Sequence, residues 1–134
     1  SLHDALPICG IAHHLLSIGT MDTLLSHPKC GATWEGFAIE EVLRVAQPSE
    51  AYFWATHSGA ELDLLLFTKG KRVGVEFKRA DAPTMTKSMH IALNDLKLDK
   101  LVVVYPGEQA YSLAKNVEVV PLSDLARVFG AARR

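Results

Sequence analysis

From residue 51 onward the apolar residues fall in short, nearly unbroken runs: AYFWAT, ELDLLLF, RVGVEF, KLVVVY and VEVVP. Runs of this length without clean alternation are expected of strands covered on both faces. Lys69-Gly70 separates the second and third runs as a tight turn, the two-residue loop of a hairpin. Thr33 to Ala46, TWEGFAIEEVLRVA, has the helical period instead, with Thr33 placed as an N-cap. After Pro83, Met85, Met89 and Leu93 again recur at helical spacing. GIAHHLLSIG and TMDTLLSH predict two short upstream helices. Pro121 to Ala132 predicts a terminal helix with proline at an early position.

The hairpin carries the chemistry. If Thr68 pairs with Lys71, counting back along both strands sets Asp63 opposite Glu76, because loop length fixes register. Alternation then puts Lys78 on the face of Glu76. Two adjacent carboxylates suit a hard cation such as Mg²⁺, which keeps several of its waters. A lysine beside them orients or deprotonates a water, or steadies a phosphate. The competing account is a wet hairpin face with ordinary cross-strand charge pairs. The neighbours argue against it: Leu62, Leu64, Leu65, Leu66, Phe67, Val73, Val75 and Phe77 are all apolar, and charges among them are costly unless they meet each other, a metal or solvent.

At about 100° per residue, Trp34, Ala38, Ile39, Val42, Leu43, Val45 and Ala46 share one arc of the first helix. Glu35 falls near the middle of that arc and is expected to point toward the sheet. The alternative is a first-turn carboxylate that simply favours the helix N-terminus.

Gly31 with Glu35, then Asp63, then Glu76 and Lys78 resemble the ordered motif of the PD-(D/E)xK nuclease superfamily. GATWEGFAIEEVL, AYFWATHSGAELDLLL and RVGVEFKRAD are similar, in order and spacing, to one branch of it. That branch is the C-terminal domain of prokaryotic predicted AAA+ ATPases, domain of unknown function 4143. The resemblance covers about residue 10 to residue 125. It implies an α/β, restriction-endonuclease-like fold, a mixed β-sheet core flanked by helices. It further implies Glu35, Asp63 and Glu76 as metal ligands for Mg²⁺ or Mn²⁺, and Lys78 as the catalytic lysine. Leu62, not proline, precedes Asp63, a variation within the branch. On this view an AAA+ ATPase module belongs to the same polypeptide. The chain itself has no phosphate-cradling glycine loop, since Gly70-Lys71 lacks the upstream glycine.

Composition sharpens this only modestly. The chain has 134 residues, enough for one core, and a net charge of −1, whereas a stand-alone nucleic-acid binder is typically basic. Its positive charge is nonetheless clustered at Lys69, Lys71, Arg72, Lys78, Arg79 and Lys87. His57, in the loop before Asp63, and Arg79 are candidates for contact with a phosphate. His13, His14, His27 and His90 lack partners at ligand spacing. Trp34, Phe53 and Trp54 offer base-stacking surfaces but read better as core. Cys9 and Cys30 suggest neither a disulfide framework nor a zinc site. No apolar run reaches the roughly 20 residues of a membrane helix, so a reduced, cytoplasmic protein without a membrane partner is expected. SLHDALPI departs from the family and lacks an initiator Met. Residues 1–9 therefore read as an atypical or foreign segment, and 10–134 as a single nuclease-like domain, a fragment of a larger ATPase polypeptide. Two functions follow: a divalent-metal-dependent nuclease acting on DNA or RNA, or a non-catalytic recognition or regulatory module that retains the fold.

Overall fold

The computed structural model describes residues 5–7 and 34–130. The two short upstream helices, the Thr33 cap, Gly31, both cysteines, and His13, His14 and His27 lie outside the described residues. The elements are β1 (Ala5–Pro7), α1 (Trp34–Ala46), β2 (Glu50–Ala55), β3 (Glu61–Thr68), β4 (Lys71–Phe77), α2 (Lys87–Asp95), β5 (Lys100–Tyr105), β6 (Tyr111–Ala114) and β7 (Val117–Pro121). A 3-10 turn at Leu122–Asp124 and a π-helix at Ala126–Gly130 follow. The terminal helical segment thus begins after Pro121, which closes β7.

The strands form one seven-stranded sheet in the order β1-β2-β3-β4-β5-β7-β6. β1 to β4 pair antiparallel. β5 lies parallel to both β4 and β7, and β6 is an antiparallel edge. The fold is therefore mixed α/β with an open, mixed sheet. Sequence patterning missed β6, whose YSLA is short, half exposed and not visibly apolar.

Both sheet faces are covered, as the unbroken apolar runs require. One face sets Ala38, Ile39, Val42, Leu43 and Ala46 of α1 against Leu64, Leu66, Val73, Val75 and Phe77. The other sets Met89, Ala92 and Leu96 around α2 against Trp54, Leu62, Leu65, Leu101 and Val103. α1 ends where Gln47, at φ 46°, returns its N–H to the Leu43 carbonyl at 3.0 Å, and Pro48 cannot prolong the helix. α2 begins at Thr86, whose hydroxyl accepts from the Met89 N–H at 3.2 Å. The hairpin turn places Lys69 at φ 53° and Gly70 at φ 77°, the left-handed pair of a type I′ turn.

Candidate metal and phosphodiester site

The turn fixes the register as counted. Thr68 pairs with Lys71, and the ladder runs through Phe67–Arg72, Leu66–Val73 and Leu65–Gly74 to Leu64–Val75. The next step would pair Asp63 with Glu76, and here side chains take over from the backbone. The Asp63 N–H donates to Glu76 Oε1 at 2.9 Å, and the Phe77 N–H donates to Asp63 Oδ2 at 2.9 Å.

A bulge lies behind this exchange. Tyr52 pairs with Leu65 but Trp54 pairs with Leu62, so β3 carries an extra residue between them. Leu62 and Leu65 accordingly face α2, while Leu64 faces α1, which interrupts the alternation at Asp63. Bulges re-aim side chains at the ends of ladders; this one turns the Asp63 carboxylate onto β4. On β4 the alternation is intact. Val75 and Phe77 pack toward α1, and Glu76, beside Val103 of β5, takes the α2 side.

Glu76 is the single buried charged residue among the described ones, 6% exposed. Burial pushes its carboxyl up to about 7; the nearby Asp63 charge adds to the rise, and the Asp63 amide and Lys78 oppose it. Lys78 Nζ stands 3.6 Å from Glu76 Oε2, and its side chain is 38% exposed. The Lys78 N–H donates to the Val104 carbonyl at 2.9 Å, so β5 holds the backbone beneath it. The cluster therefore has a buried side, on Glu76, and a solvent side, on Lys78. This is the juxtaposition of Asp63, Glu76 and Lys78 that hairpin counting anticipates.

Glu35 requires a correction: it is exposed, not directed into the fold. Its angular position is inward, between buried Ala38, Val42 and Ala46. It sits, however, in the first helical turn, where Trp34 takes the inward place by packing edge-on against Phe77, ring centroids 6.4 Å apart. α1 also covers the face opposite to the one Glu76 takes. Among the described residues no group of three or more His, Cys, Asp or Glu converges as a metal site. Asp63 and Glu76 are thus the acids brought together, and Glu35 is not gathered with them.

His57 is exposed in the turn that leads into β3, where the Gly59 N–H donates to the Thr56 carbonyl at 3.1 Å. Arg79 is exposed one residue past Lys78. Trp54 is fully buried and Trp34 and Phe53 pack against the core, which supports the core reading over base stacking. Sequence reasoning missed Ser88, whose hydroxyl accepts from the Glu61 N–H at 3.4 Å and ties the first turn of α2 to β3 two residues before Asp63. Helical spacing locates α2 but carries no signal for that contact.

The donor chemistry fits a hard divalent cation. Mg²⁺ and Mn²⁺ take carboxylate oxygens, and Mg²⁺ is commonly held by one or two carboxylates with water and substrate phosphate completing its shell. Asp63 and Glu76 are the residues that would hold it.

Comparison with known proteins identifies the lineage. The profile of the family described as Domain of unknown function (DUF4143) matches residues 30–125, and the chain belongs to that family. It is similar to the uncharacterized protein Rv2008c of Mycobacterium tuberculosis, 40% identical over 116 residues, 87% of this chain and 26% of that protein. The uncharacterized protein Mb2031c of Mycobacterium bovis matches with the same identity and coverage. The chain thus spans about a quarter of the length of these curated relatives. No solved structure matches. Among the described residues no helix is long and apolar enough to cross a membrane.

Proposed function

We propose that this domain is a Mg²⁺- or Mn²⁺-dependent phosphodiesterase acting on DNA or RNA, with a restriction-endonuclease-like architecture of the PD-(D/E)xK type. The observation that carries the reading is the meeting of Asp63 and Glu76 at an interrupted ladder, with Lys78 on the solvent side. A bound cation would supply Lewis-acid polarisation of a phosphoryl oxygen and a more acidic bound water. Asp63 and Glu76 would hold it. The bulge keeps the Asp63 carboxylate against β4, and the surrounding apolar shell keeps Glu76 from swinging into solvent. Lys78 orients the attacking water or steadies the phosphate, and His57 and Arg79 flank the strands on which these groups stand.

The test pairs Mn²⁺ titration calorimetry with cleavage of labelled single- and double-stranded DNA and RNA. Binding that disappears in Asp63→Asn, together with Mn²⁺-dependent cutting that disappears in Lys78→Ala, is the expected result. No divalent binding to the intact chain would remove the reading.

The second reading is a non-catalytic recognition or regulatory module adjoining an AAA+ ATPase in the same polypeptide. The gathering of two acids without Glu35 favours it, as does the small share of each relative that this domain covers. Divalent binding without cleavage of any polynucleotide would select it.

A further inference from the structure

The sheet has two ends, and they differ in charge. Asp63 and Glu76 stand where β3 begins and β4 finishes. At the opposite end lie the Lys69-Gly70 turn, the start of β4, the connection from α2 into β5, and the turn from β6 into β7. Hydrogen bonds join them. The Arg72 N–H donates to Asp99 Oδ2 at 2.9 Å, the Asp99 N–H to the Arg72 carbonyl at 2.8 Å, and the Leu101 N–H to the Asn116 carbonyl at 2.9 Å. Among the described residues, seven cations belong to this end: Lys69, Lys71, Arg72, Lys97, Lys100, Lys115 and Arg127.

Four of them have structural employment, Arg127 through Asp124 at 2.7 Å and Glu118 at 2.8 Å. Lys69 donates to the Phe129 carbonyl at 3.4 Å, Arg72 Nη1 donates to the Leu96 carbonyl at 2.8 Å, and Lys100 lies 3.5 Å from Glu118. The side chains of Lys71, Lys97 and Lys115 are exposed and make no hydrogen bond or ion pair among the described residues. The described acids at this end number five: Glu118 faces Lys100 and Arg127, Asp124 pairs with Arg127, Asp99 accepts from the Arg72 amide, Glu50 on β2 accepts from the Tyr52 hydroxyl, and Asp95 stands at the end of α2. Lys97 also stands at φ 54°, a left-handed position where Asn or Gly is more comfortable. A groove of about 430 Å³ runs between Lys100, Ser112, Lys115 and Asn116, with Asp99 and Glu118 in its wall.

We propose that this basic end is a sequence-independent contact for the phosphodiester backbone of a nucleic acid, separate from the acidic pair. Neighbouring strands lie about 4.8 Å apart, so the starts of β4, β5 and β7 form a row of roughly 10 Å. Phosphates of one duplex strand rise about 3.4 Å of axis per step while also turning about it, so a straight row of this length meets about two of them. A membrane surface fits less well. Basic membrane-binding segments also insert apolar side chains, and the large hydrophobic residue exposed among the described ones, Phe37, is on α1.

The test is fluorescence anisotropy of a short labelled duplex with the full chain in EDTA, across a range of salt. The wild type is expected to bind, with log affinity falling linearly in log salt. Combined Lys71→Ala, Lys97→Asn and Lys115→Ala should lower that slope by about 2 and weaken binding roughly tenfold or more at low salt. Its melting temperature should hold or rise, because Asn accepts the backbone angle at position 97. The triple variant should keep the Mn²⁺ affinity of the wild type, so loss of the metal site and loss of the basic surface are read separately. An unchanged slope in the triple variant, no duplex binding by the wild type, or binding to phosphatidylserine vesicles in place of duplex would each overturn the proposal.

Discussion

Asp63 and Glu76 complete each other's strands. The Asp63 amide is satisfied by the Glu76 carboxylate, and the Asp63 carboxylate satisfies the Phe77 amide, both at 2.9 Å. The candidate metal site and the end of the β3–β4 ladder are consequently one structure, and substitutions there act on both.

Asp63→Ala should therefore destabilise the fold, contrary to the usual gain when a repulsive functional carboxylate is removed. It strips an acceptor from the Phe77 amide, a loss of about 1 to 2 kcal/mol. Asp63→Asn keeps an acceptor and should cost less than about 1 kcal/mol while still losing a metal ligand. Urea denaturation of both variants beside Mn²⁺ calorimetry separates the two roles. Equal stability of the Ala and Asn variants would contradict the shared geometry.

Stability of the metal-free protein should fall as pH rises from about 4.5 to about 7. Glu76 has its carboxyl raised from 4.5 to about 7, first by burial and then by Asp63. Across that window the folded state holds a proton that the unfolded state has released, so the slope of unfolding free energy against pH is negative. The accumulated loss is on the order of 3 kcal/mol above the upper value, at about 1.4 kcal/mol per unit. Glu76→Gln should flatten this slope, lie close to wild type near pH 4.5, and melt higher than wild type at pH 8. Thermal melts at these pH values check it. A wild type that gains stability across the window would exclude a raised Glu76.

Lys78→Met should abolish turnover and keep the cation site near pH 8.5. The ammonium, 3.6 Å from Glu76 Oε2, favours the ionised carboxylate. Without it the Glu76 carboxyl moves further up, so Mn²⁺ affinity should drop near pH 6.5 and recover at higher pH, where Glu76 ionises regardless. Calorimetry at two pH values tests this. Affinity lost equally at both would make Lys78 structural.

Glu35→Gln should leave Mn²⁺ affinity unchanged and cost about 0.5 kcal/mol or less, the scale of a first-turn carboxylate on an exposed helix end. A large fall in metal affinity would return Glu35 to the ligand set.

The chain alone determined the hairpin and its consequence. A two-residue Lys-Gly loop permits few registers, so counting along it sets Asp63 opposite Glu76, and alternation along β4 adds Lys78. The buried character of β3, β4 and β5, and the helical nature of α1 and α2, were equally legible, because periodicity and apolar runs are local properties of the chain. Only the tertiary structure decided the rest. The bulge at Asp63 arises from β2 pairing with β3 across a register shift, and no local pattern encodes that shift. Glu35 has the right angular position on α1. Its exposure depends on where the helix ends over the sheet and on Trp34 claiming the place beside Phe77. β6 escaped notice because an edge strand needs little apolar surface. The basic end, likewise, is assembled from turns distant in sequence that parallel pairing of β4, β5 and β7 brings into one row.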